Sequence, residues 1–503
     1  MSMKTIAIIG SGIGGLTAGN LLAGRGHHVT IFESHTSPGG YTAGFRRKGF
    51  YFESGTLAFE SSGVFLKTME DLGLKDRVHL AKARNRMVSP YYDFRFESCE
   101  GFREALAAAF PSEKAAVNAC FAEISTVSEA MRPFFSKPYP MQFSGLGAIK
   151  AMLPYLTSGP KVFKLFKRYR GQSVNDIADR HFRKATPPHR LITNLGYPRM
   201  GISGLAGYFA MISEDYWHVV EGMQHLADVL ADRFRRNGGD LRLGAPVEKI
   251  LTKYGAVAGV VSRGVSYEAD AVISACDYKR TFLELIDDPS LIPPVQLERI
   301  RNAAVSEGVF TVYLGLSLSN EELNKSLRAY TVAYSPLAYD LDFEGPNDPA
   351  HFGKCGFSMH SLSLINPSLA PKGKSSLMIQ AISPTRWQGN WHKGDRERYL
   401  ALKERVKAAL IERAETIVPD LGSRIEFEDA ATPLTYERYT GNTDGATSAW
   451  SWDPRKAFYE GGMMSAAVGT PVRGLFIGSC WSNQIGGVPG ALAAAYLCAK
   501  KIR

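Results

Sequence analysis

The feature that most constrains this chain is Gly10-Ser11-Gly12-Ile13-Gly14-Gly15, set between an apolar run and a stretch with helical spacing of its apolar positions. Thr5 to Ile9 is short and rich in isoleucine, as expected of a strand buried on both faces. Leu16 to Ala23 continues the turn as a helix, and His28 to Phe32 reads as a second strand ending at Glu33. Together these segments make a complete strand–turn–helix–strand unit that ends in an acid. Gly10 permits the tight turn, Gly12 lets the backbone approach a pyrophosphate, and Gly15 lets helix and strand pack closely. Phosphates then lie at the positive end of the helix, where unpaired N–H groups point at them. Glu33, about twenty residues on, can accept both hydroxyls of an adenosine ribose.

A Rossmann-like unit that had lost its ligand would explain the glycines but not Glu33, nor the Ser37-Pro38-Gly39-Gly40-Tyr41-Thr42 that follows. Paired glycines there let a second backbone segment run beside the same dinucleotide, which separates users of FAD from most users of NAD. FAD is therefore the expected cofactor. The residues expected to line it in this part of the chain are Gly10, Gly12, Ile13, Gly14, Gly15, Glu33, Ser34, Gly39, Gly40, Tyr41 and Thr42.

The opening of the chain, through Phe52-Glu53-Ser54-Gly55-Thr56, resembles the phytoene desaturase, carotenoid isomerase and retinol saturase-like group of the amine-oxidase-like flavoproteins. Val220-Glu221-Gly222-Met223-Gln224-His225-Leu226 is similar to that group's Gly-Gly-Met-x-x-Leu helix entry, with Glu221 in place of the first glycine. The helix is expected to run to Arg236, end at Asn237-Gly238-Gly239 and feed a strand over Asp240 to Leu243. The resemblance implies that the backbone of Val247 holds adenine and that Ala271 to Ala275 returns to the cofactor sheet. At the other end, Gly474 to Gly478 reads as a buried strand and Gly486 to Ala491 opens the last helix. By the same resemblance Gly478, Ser479, Gly487, Val488 and Ala491 close over the flavin. Many flavoproteins of the wider class carry an Asp where this chain has Ser479; bacterial phytoene desaturases look similar in lacking it. The contact is then expected to rest on backbone groups and the Ser479 hydroxyl.

With 503 residues and the cofactor pieces widely separated, the units must interleave. The expected fold is α/β: a Rossmann-type FAD-binding domain over 1–62, 215–280 and 465–503, interleaved with an α+β substrate domain over 63–214 and 281–464. In the latter, Val309 to Leu316 and Ser376 to Ile382 read as strands of a mixed sheet, and Asp395 to Thr416 as an amphipathic helix. No apolar run is long enough to span a bilayer, and no signal peptide is read at Met1-Ser2-Met3-Lys4, so a cytoplasmic location is expected. Six scattered cysteines without a Cys-x-x-Cys pair fit a reducing compartment.

The net charge of +10 is concentrated. Lys161, Lys164, Lys167, Arg168 and Arg170 interleave with Met152, Leu153, Leu156 and Phe163, a pattern that suits an anionic membrane surface near 145–190. An ordinary solvated helix face is the alternative. No nucleic-acid-binding module accompanies the charge. Three further features invite a functional reading. Trp450 and Trp452 could line a polyene tunnel or simply fill core; Cys480 could be redox-active but more simply is a small buried residue; His27 and His28 are expected to face solvent. His351, His360 and His392 have no companions at metal-ligand spacing, so no metal is expected.

The resemblance implies an FAD-dependent oxidoreductase that desaturates, isomerises or saturates double bonds of an apolar, carotenoid- or retinoid-like molecule. Only one dinucleotide motif is present, since Gly201 to Gly207 has the wrong spacing, so the electron partner is expected to be a quinone, oxygen or a protein. A flavin amine oxidase of the same architecture stays open, as does a prenyl-binding escort protein without flavin. The sequence singles out no catalytic residue.

Overall fold

Alternate side chains of Thr5–Ile9 serve opposite faces of a sheet, as a period of two requires. Ile6 and Ile8 join one apolar cluster, and Ala7 and Ile9 another. The computed structural model describes residues 2–340, 345–346, 348–459, 467–484 and 486–502. Thr5–Ile9 is the middle strand of a five-stranded sheet ordered Asp240–Arg242, His28–Phe32, Thr5–Ile9, Ala271–Ser274, Leu475–Ile477. All four pairings are parallel. Helices Ile13–Ala23, Met223–Arg236 and Gly487–Lys501 cover one face. The antiparallel meander Val247–Lys253, Ala256–Ser262, Val265–Glu268 packs on the other. A parallel sheet covered on both faces must be apolar throughout, which is why its strands are nearly free of charge.

A second, seven-stranded sheet is mixed. Its order is Ile425–Ala431, Gly308–Leu316, Ser375–Ser383, Phe357–His360, Thr331–Tyr334, Asn85–Val88, Asp93–Phe96. Only the pairing of Asn85–Val88 with Thr331–Tyr334 is parallel among these. Phe310, Val312, Leu314 and Leu316 point from Gly308–Leu316 into the cluster formed with Leu402, Val406 and Leu410 of helix Arg396–Ala414. Asp395 caps that helix, its side chain accepting from Arg398 N. On the opposite face Tyr313 meets Phe50 and Phe52. These elements match the strands and helix read from the sequence, with ends moved by one or two residues.

A helical lobe is built from Lys114–Ser136, Gly145–Arg168, Val174–His181 and Ile202–Glu214 around Phe102, Phe121, Ile124 and Phe209, and Met87 of the seven-stranded sheet joins its core. The glycines of 201–207 thus belong to a helix packed in this lobe. The chain passes between the lobe and the cofactor sheet through a small antiparallel sheet ordered Phe59–Glu60, Tyr216–Val219, Leu80–Lys82.

Candidate active site

The glycine turn works by three different constraints. Gly10 adopts φ +97°, a conformation that side chains rarely take. A methyl group on Gly15 would lie 2.1 Å from Gly10 O, so the helix can approach its own turn only without a side chain. Gly12 is different: its φ and ψ, −66° and 173°, suit any residue, and a methyl there would meet nothing nearer than Gly39 O at 4.0 Å. The fold does not need a glycine at that place. A dinucleotide lying against the backbone does. Gly14 serves packing, because a methyl on it would fall 2.2 Å from Gly478 O.

The second glycine segment folds onto the first. Gly39 N donates to Ser11 O at 3.0 Å, and Gly39 and Gly40 take φ +132° and +56°. Glu33 is buried and its carboxylate is fully engaged: Oε2 accepts from Ser11 N at 2.8 Å and Ser11 Oγ at 2.7 Å, and Oε1 from His35 N at 2.9 Å and Ser34 Oγ at 3.1 Å. A ribose diol at Glu33 would have to take the place of a rotatable serine hydroxyl, Ser11 or Ser34, rather than meet a free carboxylate. Thr42, expected to touch the cofactor, donates from Oγ1 to Gly39 O at 2.7 Å and so braces the turn. The Tyr41 hydroxyl donates to Ala446 O at 2.9 Å, and Asp277 accepts from Thr443 N at 2.8 Å. Segment 443–446 is thereby held against the cofactor side. Val247 follows Ala245, whose N–H donates to Glu33 O at 2.6 Å, so its backbone runs beside the end of His28–Phe32.

At the far end of the chain, Ala491 O and Gly478 O both close on Gly14. Helix Gly487–Lys501 thus brings its N-terminus, with Val488 and Ala491, beside the N-terminus of Ile13–Ala23. Two helix N-termini, two glycine segments without side chains and an acid at a strand end are the donor set and shape that an FAD pyrophosphate and ribose require. The Ser479 hydroxyl donates to Cys276 O at 3.2 Å and keeps its acceptor lone pairs. Glu221 in place of a glycine costs nothing: only Gly222, at φ +91°, needs the freedom. Buried Glu53 accepts from Met223 N at 2.9 Å and from the Tyr51 hydroxyl at 2.8 Å, fixing the start of helix Met223–Arg236. Burial pushes its carboxyl up to about 8.

Beside Tyr41, expected at the cofactor, stand Glu60, Tyr197, Tyr208 and Tyr216, all half-buried. They are near neighbours: beyond burial, Tyr197 raises the pKa of the Tyr41 hydroxyl, and Glu60, Tyr208 and Tyr197 raise that of Tyr216. Trp452 stacks on Tyr197 with ring centroids 5.1 Å apart and 5° between planes. Trp450 does not join them; it is fully buried, stacked on Phe458 at 3.9 Å and edge-on to Trp481 at 4.9 Å. Tyr208 also lines a cavity of about 180 Å³ with Leu191, Leu195, Phe357, Gln380 and Ile382, between the helical lobe and the seven-stranded sheet. Sequence reasoning missed Glu60, because a single acid in a two-residue strand carries no pattern.

Other expectations change. His27 is buried, not solvent-facing: its Nδ1 accepts from Lys4 N at 3.3 Å, and burial lowers its pKa. Burial pushes the Cys480 thiol up to about 11, which disfavours a reactive thiolate. His351 is a core residue bonded to the Tyr339 hydroxyl at 3.0 Å and Ile382 O at 2.9 Å. Among the described residues no three His, Cys, Asp or Glu side chains gather as a metal site.

Comparison with known proteins agrees with this geometry. The 4,4'-diapophytoene desaturase (4,4'-diapolycopene-forming) of Methylomonas sp is 25% identical, covering 91% of this chain and 89% of that protein. The all-trans-retinol 13,14-reductase of Danio rerio is 24% identical, covering 98% of this chain and 85% of that protein. The structure of cyclohexylamine oxidase from Brevibacterium oxydans superposes with a TM-score of 0.64 at 13% identity, covering 100% of this chain and 99% of that one, a likeness of fold. The model of the flavin containing amine oxidoreductase family matches residues 13–503, so the chain belongs to that family and is an FAD-dependent oxidoreductase.

Proposed function

We propose that the enzyme adds or removes hydrogen across carbon–carbon double bonds of an apolar polyene, carotenoid- or retinoid-like, with isomerisation as a further outcome of the same site. The observation that carries the reading is the group of neighbouring tyrosines Tyr41, Tyr197, Tyr216 and Tyr208, the last of which also lines the cavity between the helical lobe and the seven-stranded sheet. Flat aromatic walls suit a conjugated chain. The similarity to a diapophytoene desaturase and a retinol reductase over most of both chains supports it. When bound, FAD supplies the hydride chemistry. The protein's part is to orient the chain along the wall that the stacked Tyr197 and Trp452 form together and to exclude water from it.

The expected electron partner follows from the single dinucleotide motif of the sequence. Reduced enzyme mixed with a quinone is expected to reoxidise quickly, and mixing with NAD or NADP to leave the flavin reduced. Stopped-flow absorbance checks this, and rapid, saturable reduction of the bound FAD by NADPH would refute it. A screen of polyenes under anaerobic conditions then tests the substrate class. Turnover of amines alone would favour the amine-oxidase alternative.

A lipid-dissolved substrate needs a loading route, and helix Gly145–Arg168 offers one. Leu146 is 76% exposed, Leu156 64% and Phe163 72%, and Ile149 and Leu153 continue the same face at helical spacing. Lys161, Lys164, Lys167 and Arg168 are exposed beside it, so an anionic bilayer is the occupant proposed. No helix among the described residues is long and apolar enough to cross a membrane. Each basic side chain near the surface contributes about 1 kcal/mol, screened by salt. Co-sedimentation with anionic liposomes should fall as salt rises, and fall further with Lys161, Lys164 and Lys167 changed to Glu. Equal binding to neutral liposomes at high salt would instead mean apolar docking alone.

A further inference from the structure

We propose that Glu60 is the proton-exchanging residue of the active site, acting on the substrate carbon next to the one that exchanges hydride with the flavin. This rests on the polyene reading above. Glu60 belongs to the short strand Phe59–Glu60, whose Phe59 is fully buried and paired with Trp217, so the acid's position is fixed. A methyl built on Gly487 would lie 3.3 Å from Glu60 Oε1. The carboxyl therefore stands against the N-terminus of the last helix, the element that closes the cofactor site. Gly487 is itself exposed, whereas Val488 beyond it is buried.

Among the described residues no ion-pair partner neutralises this acid. The charge acting on it is another acid, Asp215, which is held by Ser62 N at 2.9 Å and Trp217 Nε1 at 2.6 Å. Its other titratable neighbours are Tyr139, Tyr197 and Tyr216, each pushed up by burial and by the Glu60 charge. Burial, and then Asp215, hold the Glu60 carboxyl at about 7, so both forms are present near neutrality. An acid tuned to the working pH is what general acid–base catalysis needs.

The step balances in either direction. In desaturation one C–H gives its hydride to the flavin, the adjacent C–H gives its proton to Glu60 Oε1, and the pair left behind becomes the new π bond. In saturation the reduced flavin returns the hydride and protonated Glu60 gives the proton.

The test is Glu60→Gln, which keeps shape and removes the exchangeable proton. The variant should retain FAD and the substrate's KM. Its flavin should react about 10²-fold or more slowly with any polyene the wild type turns over. The wild-type rate of desaturation should rise with pH through about 7, and the variant should lose that limb. A second readout needs no substrate. Infrared difference spectra on photoreduction of the bound flavin should carry a carboxylic-acid C=O band that Glu60→Gln removes, since negative charge gained nearby favours the neutral acid. Unchanged rates in the variant, or no such band in the wild type, would overturn the role. A wild type that shows the band but turns over no polyene would place Glu60 beside the flavin and refute the substrate reading instead.

Discussion

Gly12→Val protein is expected to fold normally and to purify without flavin colour. The two statements are separable here because Gly12 is the one glycine of its motif that the fold does not require. Its backbone is in the extended region, and its Cβ direction is open to 4.0 Å. A branched side chain there meets no protein atom at Cβ, but it fills the line along which a pyrophosphate must approach the N–H groups of the helix. FAD affinity should drop at least about a hundredfold, or ~2.7 kcal/mol. The ratio of flavin to protein absorbance measures the loss, and the far-ultraviolet circular dichroism spectrum should match that of the wild type. Full FAD occupancy in this variant would sink the assignment of the site.

Gly14→Ala should do the reverse, two residues along the same turn. Its new methyl would lie 2.2 Å from Gly478 O and 3.4 Å from Ala491 O, both backbone atoms that cannot rotate away. Overpacking of this kind costs about 1–3 kcal/mol. The first helix and the last strand must separate to admit it, so the urea midpoint should fall while Gly12→Ala leaves it unchanged. Identical midpoints for wild type and Gly14→Ala would show that the two segments do not meet as described. Any flavin lost by Gly14→Ala would follow from displaced helices.

The contrast shows what a sequence discloses. The turn after Thr5–Ile9 was legible because strand, glycines, helix and acid are contiguous, and local rules govern contiguous residues. The long helix Arg396–Ala414 was legible by periodicity and by its Asp395 cap. Gly14's true neighbour lies more than 460 residues away, at Gly478, and nothing local announces it. The pairing of Asn85–Val88 with Thr331–Tyr334 is hidden for the same reason. Trp450 and Trp452 are near neighbours in one segment, yet one is fully buried core and the other is half-buried and stacked on Tyr197. Residue type could not separate them, because each fate depends on which partner a distant segment supplies. Ser34 and Thr42 show a more local effect. Their hydroxyls find acceptors in Glu33 and Gly39 O, competition that short polar side chains offer in any turn.

The parallel pairing of Ala271–Ser274 with Leu475–Ile477 also sets a clock for biosynthesis. While the chain is being made, the first four strands can assemble, but the outer edge at Ala271–Ser274 stays unpaired for roughly 200 further residues. At about 5–20 residues per second that is roughly 10–40 s of an open, apolar edge on the ribosome. Helix Gly487–Lys501 emerges later still, so the second positive helix end that FAD needs is absent throughout that interval. Cofactor capture therefore follows chain completion. A cell short of FAD at that moment accumulates finished chains whose last helix has docked on an empty cradle, and a host engineered to make more protein gains active enzyme only if its flavin supply rises in step.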